Sequence, residues 1–184
     1  MTSKKETHKT YQSLSELVTI LSNEESVNYA DIFRSIELTE GAFEDCVSWS
    51  DESYTRNCIA ENGKFELLLL CWEKGQATAI HDHGGEECWV KVIEGELSDT
   101  IYKVDKFGKF NDVSSNISKK GDVSYMADFI GFHRLENLSE TRSMSLHLYA
   151  KPIKSCNTFD EGARKLVPKD LAYDKVFEFG GKIK

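Results

Sequence analysis

The first third of the chain carries apolar residues at helical spacing. The residues that would share one face of the first helix are Leu14, Leu17, Val18 and Leu21. Ser13 precedes this run and Glu16 follows three residues later, a spacing typical of a capping box at a helix start. Two further helices are predicted over residues 29–36 and 39–47, the second with Thr39 as its N-cap. Residues 1–50 are therefore expected to form a helical N-terminal part.

From Tyr54 onwards, short β-rich runs alternate with glycine and Asp/Asn clusters. The predicted strands cover residues 64–72, 88–94, 97–104, 123–126, 134–137 and 144–149, with one more strand or hairpin around residues 176–179. Many short strands at this spacing are typical of an antiparallel sandwich or barrel. No repeat or linker interrupts the chain, so residues 1–184 are predicted to form one domain, with a barrel and C-terminal strands over residues 54–184.

Composition excludes several classes of function. The 184 residues include 31 acidic and 23 basic side chains, and the net charge of −8 disfavours electrostatic binding to nucleic acid. The longest apolar run, Leu67–Trp72, is much shorter than a membrane span, so no membrane association is expected. The polar N-terminus lacks the apolar middle of a secretory signal, which predicts a cytoplasmic protein. The five cysteines are scattered along the chain, which argues against a disulfide framework, and Cys46, Cys58 and Cys71 are expected to be free buried thiols.

Four of the five histidines, all except His8, fall in the part of the chain where the sequence predicts strands. His81 and His83 form a His-x-His pair, which on a strand would place both rings on one face. Neutral imidazole is the commonest protein ligand for transition metals. If His133 arrives from a neighbouring strand, the three rings can hold one metal ion. The alternative is that His81 and His83 are a surface pair without a ligand.

A second pattern lies in the last predicted strand. Leu146 and Leu148 alternate there with three polar side chains, Ser145, His147 and Tyr149. A polar row that faces the inside of a barrel is costly unless each group is hydrogen-bonded, and it is tolerated where it serves a site. The alternative is an edge strand whose polar face lies in solvent. His147 is also an alternative to His133 as third metal ligand.

Tyr54 and Arg56 would share a face of an extended segment just before the first long strand. An arginine inside a barrel needs an anionic partner, and a carboxylate substrate fits the planar guanidinium. On its own this signal is weak, since most arginines near a strand start are solvated.

The spacing of the histidines and glycines resembles the two sequence motifs of the cupin superfamily. The matching positions are Gly75, His81, His83, Gly95, Gly121, His133 and Asn137. This resemblance implies a mainly β protein, a small cupin-type barrel or antiparallel sandwich with N-terminal helices. Cys88 occupies the position where cupins usually carry a glutamate ligand. The ligand set would then be three neutral histidines, unless Glu87 shifts into the glutamate position.

Residues 54–159 resemble the cysteine dioxygenase family of thiol dioxygenases. The segments that carry the resemblance are residues 54–57, 63–65, 70–72, 80–83, Cys88, 131–137 and 145–149. The resemblance implies that ferrous iron, Fe(II), is held by His81, His83 and His133. It also implies that L-cysteine binds this iron through its thiolate and amine, and that both atoms of O2 are transferred to sulfur to give cysteine sulfinate. A monomer is expected.

The same resemblance implies roles for the remaining residues. Arg56 would pair with the substrate carboxylate, assisted by the phenol of Tyr54. Tyr149 would lie over the iron and become joined to Cys88 by a thioether bond. A hydrogen-bonded relay would connect Ser145, His147 and Tyr149, with Trp72 packed near the site. One departure is Lys151, which stands where family members often carry the first proline of a Ser-Pro-Pro sequence.

The sequence leaves three alternatives to an L-cysteine dioxygenase. The first is a dioxygenase for another small thiol acid, such as 3-mercaptopropionate, although Arg56 and Cys88 both favour cysteine. The second is a non-catalytic cupin that binds a metal or a small ligand. The third is a zinc hydrolase or isomerase, which needs a general base near the metal, with Glu86 or Glu87 as candidates.

Overall fold

A computed structural model describes residues 10, 11, 13–38 and 41–177. In chain order the elements are β1 (Thr10–Tyr11), α1 (Leu14–Asn23), α2 (Tyr29–Ser35), β2 (Glu37–Leu38), β3 (Thr55–Glu61), β4 (Glu66–Trp72), β5 (Cys88–Glu94), β6 (Glu96–Val104), β7 (Phe110–Lys119), β8 (Val123–Met126), β9 (Phe132–Glu136), β10 (Ser143–Tyr149), β11 (Ser155–Asp160), β12 (Lys165–Asp170) and β13 (Lys175–Val176).

Two of the three predicted helices form. The Ser13 hydroxyl accepts a hydrogen bond of 3.2 Å from the Glu16 backbone N–H, which caps α1 as its sequence predicts. All four apolar residues predicted for one face of α1 are buried. The third predicted helix is wrong, since residues 41–47 contain only a 3₁₀ turn over Glu44–Cys46. Gly41 has a φ of +82°, which is incompatible with a continuous right-handed helix there. The predicted cap Thr39 lies outside the described residues.

The strands predicted over residues 88–94 and 123–126 form with those bounds, and four others differ by one or two residues at their ends. Strands β1, β2, β3, β7, β11 and β12 are missing from the prediction. The sequence of β7, FNDVSSNISK, is mostly polar because nearly the whole strand is exposed, so it lacks a buried face that would reveal it. Of the strand predicted around residues 176–179, only Val176 lies in a strand, and residues 178 and 179 lie outside the described residues.

The centre of the fold is a six-stranded sheet with strand order β13-β3-β4-β10-β5-β8. Its pairs are antiparallel except for β13 with β3. Every residue of β4 is buried, because this strand lies in the middle of the sheet with both faces covered. Strand β10 lies between β4 and β5, so the edge-strand alternative for its polar row is wrong.

The two faces of this sheet form different cores. One face, with Leu67, Leu69, Leu146 and Leu148, packs against the helices. The other face, with Leu68, Leu70 and Val90, packs against Leu97 of β6 and Leu135 of β9. A three-stranded sheet, β7-β6-β9, and the β11–β12 hairpin provide this second layer.

The facing layers do not close into one continuous ladder among the described residues. Isolated bridges from His81 to His133 and to Thr158 join the segment before β5 to β9 and β11. This architecture confirms the expected fold class, a mainly β cupin-type sandwich with N-terminal helices. No helix in the described part of the chain has the length and apolar character needed to cross a membrane.

Candidate metal centre

Three imidazoles meet between the two layers. His81 and His83 come from the segment between β4 and β5, and His133 comes from β9. Reciprocal backbone hydrogen bonds of 2.9 Å join His81 to His133 and fix the two rings side by side. His83 lies in irregular structure and His81 takes part only in isolated bridges, so the expectation that this pair lies on a regular strand is wrong, although both rings join the same cluster. Ligand nitrogens of the three rings all lie within 4.8 Å of one another.

The loop that carries His83 is held by the acidic side chains of Asp82 and Asp128. The Asp128 carboxylate accepts bonds of 2.7 Å from the backbone N–H groups of His83 and Gly85. Asp82, between the two histidines, accepts a 2.8 Å bond from the Asn157 backbone N–H. These carboxylates therefore fix the loop and do not belong to the cluster of potential metal ligands.

Hydrogen bonds orient two of the rings. The Nδ1 atom of His81 lies 2.9 Å from the carbonyl oxygen of Ala79, and Nδ1 of His133 lies 2.9 Å from Oδ1 of Asp99. Both oxygens are acceptors, so each Nδ1 carries the proton and each Nε2 keeps its lone pair. Within the part of the chain that the structure describes, the buried Nε2 of His133 and Nδ1 of His83 have no hydrogen-bond partner. Buried nitrogens without a partner on two rings of this cluster fit a metal ion.

Burial keeps the imidazoles of His81 and His83 neutral. It lowers the pKa of His81 to about 3, with a further contribution from His133. Burial likewise holds the pKa of His83 well below its ordinary value. Since a metal binds the neutral ring, His81 and His83 are in their ligand form at neutral pH without losing a proton.

The alternatives for the ligand set are not supported by the geometry. Among the described residues, the group that could hold a metal contains His81, His83 and His133, and includes neither His147 nor Glu87. Glu87 is exposed, and its carboxylate accepts a 2.6 Å bond from the Tyr125 hydroxyl. A shift of Glu87 into the cupin glutamate position is therefore contradicted.

Cys88 fills the glutamate position as a fully buried thiol on β5. It lies directly opposite Tyr149 in the β5–β10 ladder. Burial raises the pKa of the Cys88 thiol, so the sulfur is protonated at neutral pH. The register thus brings Cys88 and Tyr149 together as cross-strand neighbours.

The polar row of β10 faces the metal cluster, as the alternation predicts. The indole N–H of Trp72 donates to the Ser145 hydroxyl at 2.9 Å, and Ser145 Oγ lies 2.8 Å from Nε2 of His147. Since indole only donates, the Ser145 hydrogen is free to bond His147, which then carries its proton on Nδ1. The Tyr149 ring continues the row as a stacked neighbour, with a centroid separation of 6.4 Å from His147. It also lies 5.8 Å from the His83 ring.

A pocket opens beside the three imidazoles. Its lining includes Tyr54, Arg56, His147, Tyr149 and Cys156. Tyr54 stacks on Trp72 with ring centroids 4.6 Å apart, which fixes the phenol at the pocket wall. Burial raises the pKa of Tyr54, so this phenol stays neutral. Cys156 is a buried free thiol in the same wall.

Arg56 is buried and tied down from the C-terminal segment. Its Nε donates to the Ala172 carbonyl at 3.2 Å, and its backbone N–H donates to Asp174 at 2.7 Å. Burial opposes the charge of Arg56, but its polar neighbours, among them the hydrogen-bonded phenol of Tyr149, outweigh burial, and the pKa of Arg56 is raised overall. The guanidinium is therefore a fixed cation beside the imidazoles, which suits a carboxylate ligand.

Comparison with known proteins identifies the family. Residues 5–162 match the family described as cysteine dioxygenase type I. The chain belongs to the cysteine dioxygenase type I family. Cysteine dioxygenase type 1 of Homo sapiens is 40% identical over 114 residues, 59% of this chain and 56% of that protein. Cysteine dioxygenase type 1 of Danio rerio is 33% identical over 147 residues, 74% of this chain and 72% of that protein.

The chain spans little more than half of the length of the human relative that it matches, 56%. Among solved structures, a protein with a double-stranded β-helix domain from Klebsiella pneumoniae has a TM-score of 0.46 and 19% identity, over 58% of this chain and 80% of its own.

Two residues near the site are not predicted from the sequence. Asp99 binds His133, and the fully buried Glu66 lies behind Arg56. A signal for Asp99 exists, because it is in phase with the buried Leu97 on β6 and a carboxylate on a buried face needs a partner. Glu66 carries no such signal, since it stands at the start of a strand where an exposed glutamate would be unremarkable. Asn137, part of the cupin motif, holds the turn after β9 by donating to the carbonyls of Trp72, Glu73 and Thr141.

Proposed function

We propose that this protein is an Fe(II)-dependent dioxygenase that oxidises L-cysteine with O2 to cysteine sulfinate. The observation that carries the proposal is one pocket holding both a convergent cluster of three imidazoles and the buried guanidinium of Arg56. A small ligand with a metal-binding thiol at one end and a carboxylate at the other matches both features. Membership of the cysteine dioxygenase type I family supports the same substrate.

His81, His83 and His133 would hold the iron. Three neutral ligands leave the ion its full double charge, which suits an anionic sulfur ligand, and imidazole is a common ligand of Fe(II). When bound, the iron supplies thiol deprotonation and the activation of dioxygen. Asp99 contributes by fixing the His133 ring with its free nitrogen towards the other two rings.

Arg56 orients the substrate in this proposal. Its guanidinium is held by Ala172 before substrate arrives, so little side-chain freedom is lost when the carboxylate binds. Holding the carboxylate at Arg56 turns the thiol towards the imidazoles. Much of the catalysis is then positioning of two reactants in one pocket.

Tyr149 and His147 supply the polar groups next to the reacting sulfur. The neutral His147 is kept in one tautomer by Ser145 and Trp72. The hydrogen bonds therefore run in one order, from Trp72 to Ser145 and from Ser145 to His147. Tyr149 is a neutral phenol because burial holds its pKa well above the ordinary value. It can therefore donate a hydrogen bond to bound oxygen or sulfur.

The thioether between Cys88 and Tyr149 belongs to the same proposal. The two residues are directly opposite each other in the ladder. Side chains at directly opposite positions of neighbouring strands are close enough to touch. Joining the sulfur to the phenol ring releases two protons and two electrons, and dioxygen accepts them. The bond would hold the Tyr149 phenol at a fixed place beside the His83 ring.

A dioxygenase for another thiol acid is the second candidate, because Arg56 recognises any carboxylate. Oxygen uptake by iron-loaded protein with L-cysteine, 3-mercaptopropionate and cysteamine separates the candidates. L-Cysteine is expected to give the highest kcat/KM, and cysteamine, which lacks a carboxylate, a low one. A higher kcat/KM for 3-mercaptopropionate would replace the first candidate by the second.

Metal content tests the remaining alternatives. The described pocket lining includes neither Glu86 nor Glu87, which a zinc hydrolase would need as its general base. Bound iron with thiol-dependent oxygen uptake supports the dioxygenase. Tightly held zinc without oxygen uptake would contradict it, and metal binding without any turnover would favour the non-catalytic cupin.

The proposed setting is the cytoplasm, with L-cysteine and O2 as small-molecule partners. The five cysteines, all buried free thiols, are compatible with a reducing compartment. A monomer that binds neither nucleic acid nor membrane remains the expectation. Size-exclusion chromatography with light scattering measures the oligomeric state.

A further inference from the structure

A second carboxyl group lies behind the substrate-binding arginine. Glu66 is fully buried at the start of β4, and its Oε2 atom lies 3.9 Å from Nη2 of Arg56. An ionised carboxylate without hydrogen bonds is costly inside a protein. A charged guanidinium–carboxylate pair normally closes to about 2.7–2.9 Å. Here both facing atoms lack a hydrogen-bond partner among the described residues, which is unlike an ion pair.

The other oxygen of Glu66 contacts the hydroxyl of Tyr173. The same hydroxyl lies 2.8 Å from Oε2 of Glu61 and 3.2 Å from Nζ of Lys154. A phenol has one hydrogen to donate and two lone pairs to accept. Lys154 donates to one lone pair, and the single phenol hydrogen serves one of the two carboxyl groups. The remaining contact is a hydrogen bond only if that carboxyl group carries a proton.

The surroundings decide which carboxyl group holds the proton. Glu61 is partly exposed and accepts a 2.5 Å bond from Lys154. Burial raises the pKa of Glu61, but the bonds from Lys154 and Tyr173 outweigh it and lower the pKa overall. For Glu66, burial dominates and raises the pKa. Tyr173 therefore donates to Glu61, and Glu66 donates to Tyr173.

We propose that Glu66 is a positioning residue for Arg56 that stays a neutral acid in the empty site, so that the guanidinium keeps its whole charge for the substrate carboxylate. The part that concerns substrate rests on the proposed function. The neutral Glu66 side chain packs next to Arg56 without neutralising the charge of the guanidinium, and its hydrogen bond with Tyr173 holds the carboxyl group in place. The titratable and charged groups that face Glu66 are Arg56, Cys58, Glu61, Cys88, Tyr149, Lys154 and Tyr173.

The protonation of Glu66 can be observed without any turnover. At about pH 7 the infrared spectrum of wild-type protein is expected to contain the carbonyl band of one protonated carboxylic acid, and E66Q is expected to lose it. Glu94→Gln, at an exposed carboxylate on β5, is the matched control and should keep the band. No such band in wild type, or a band that survives in E66Q, overturns the proposal. Should E66Q fail to fold, the ¹³C carboxyl signals of glutamate-labelled wild-type protein decide the same question.

The effect on Arg56 is measured as a preference for carboxylates. Anaerobic calorimetry of iron-loaded protein compares the affinities for 3-mercaptopropionate and 2-mercaptoethanol. The first thiol ends in a carboxylate and the second in a hydroxyl group. Raising the pH ionises Glu66, and its negative charge then partly neutralises the guanidinium of Arg56. The attraction of Arg56 for the substrate carboxylate is weakened, so the wild-type preference for 3-mercaptopropionate should fall by about tenfold at alkaline pH. E66Q should match wild type at about pH 7 and keep its preference when the pH rises.

An equal alkaline fall in E66Q, or a changed preference at about pH 7, overturns the role of Glu66. Binding without oxygen consumption would defeat the proposed function and leave this inference intact. A wild-type protein with no preference for the carboxylate thiol would contradict both.

Discussion

Asp99 is the residue whose role at the metal centre is most directly testable. It accepts a bond from His133 Nδ1 and so fixes the ring with Nε2 towards the other imidazoles. Asp99→Asn removes the negative charge while keeping a similar shape. We expect metal affinity to fall by about 10–100-fold, as is typical when such a supporting carboxylate is lost.

Competition with a coloured chelator measures that affinity without requiring activity. Asp112→Asn, at an exposed carboxylate on the neighbouring strand β7, is the control and should leave the affinity unchanged. An unchanged affinity in Asp99→Asn would show that His133 is oriented by other contacts.

The Cys88–Tyr149 pair gives a second test at the scale of residues. An internal thioether changes the migration of the denatured chain, so wild-type protein after turnover with L-cysteine should run as two bands. Cys88→Ser should give one band, because serine has no sulfur to couple. Identical single bands for both proteins after turnover would contradict the cross-link.

At the scale of elements, Lys91 joins the central sheet to the helices. Its ammonium group, on β5, donates to the carbonyls of Phe33, Arg34 and Ile36 at the end of α2, at 3.5, 3.3 and 2.5 Å. Lys91→Met keeps the length of the side chain but leaves these carbonyls without a donor. We expect the free energy of unfolding to fall by about 1–3 kcal/mol.

Urea unfolding followed by circular dichroism measures this loss. Lys119→Met, at an exposed lysine on β7, serves as the control and should change stability little. Equal stabilities for Lys91→Met and wild type would show that water replaces the lysine at the end of α2.

The elements also show what a sequence can predict. The face of α1 and the alternation of β10 are both clear, because each has one apolar side against a core. Strand β7 is hidden, since its exposed faces carry no periodicity. The three histidines of the candidate metal centre could be found because two are separated by a single residue and the third lies in a recognisable motif. The contacts of Arg56 with Ala172 and Asp174 could not, because they join residues more than 100 positions apart.

At the scale of the whole molecule, the buried imidazoles predict how stability depends on pH. Burial lowers the pKa of His81 to about 3 and also lowers the pKa values of His83 and His147. In the unfolded chain a histidine titrates near about 6.5. Below that pH the unfolded state therefore binds more protons than the folded metal-free protein. Stability should be fully present above about pH 6.5 and should fall by about 1.4 kcal/mol per pH unit for each such histidine as the pH drops.

Urea unfolding of metal-free protein between about pH 7 and about pH 5 measures this slope. His147→Gln, outside the metal cluster, should reduce the slope by the contribution of one histidine. The same slope in both proteins would show that His147 takes up no proton on unfolding.

The central claim is that three neutral imidazoles and one guanidinium bring a thiol and dioxygen together in one pocket. The most direct measurement is mass spectrometry of the product formed by iron-loaded protein from L-cysteine under ¹⁸O₂. The account predicts cysteine sulfinate that carries two labelled oxygen atoms, with the product lost in His133→Ala. Product with one labelled oxygen or none, or cystine alone, would contradict it.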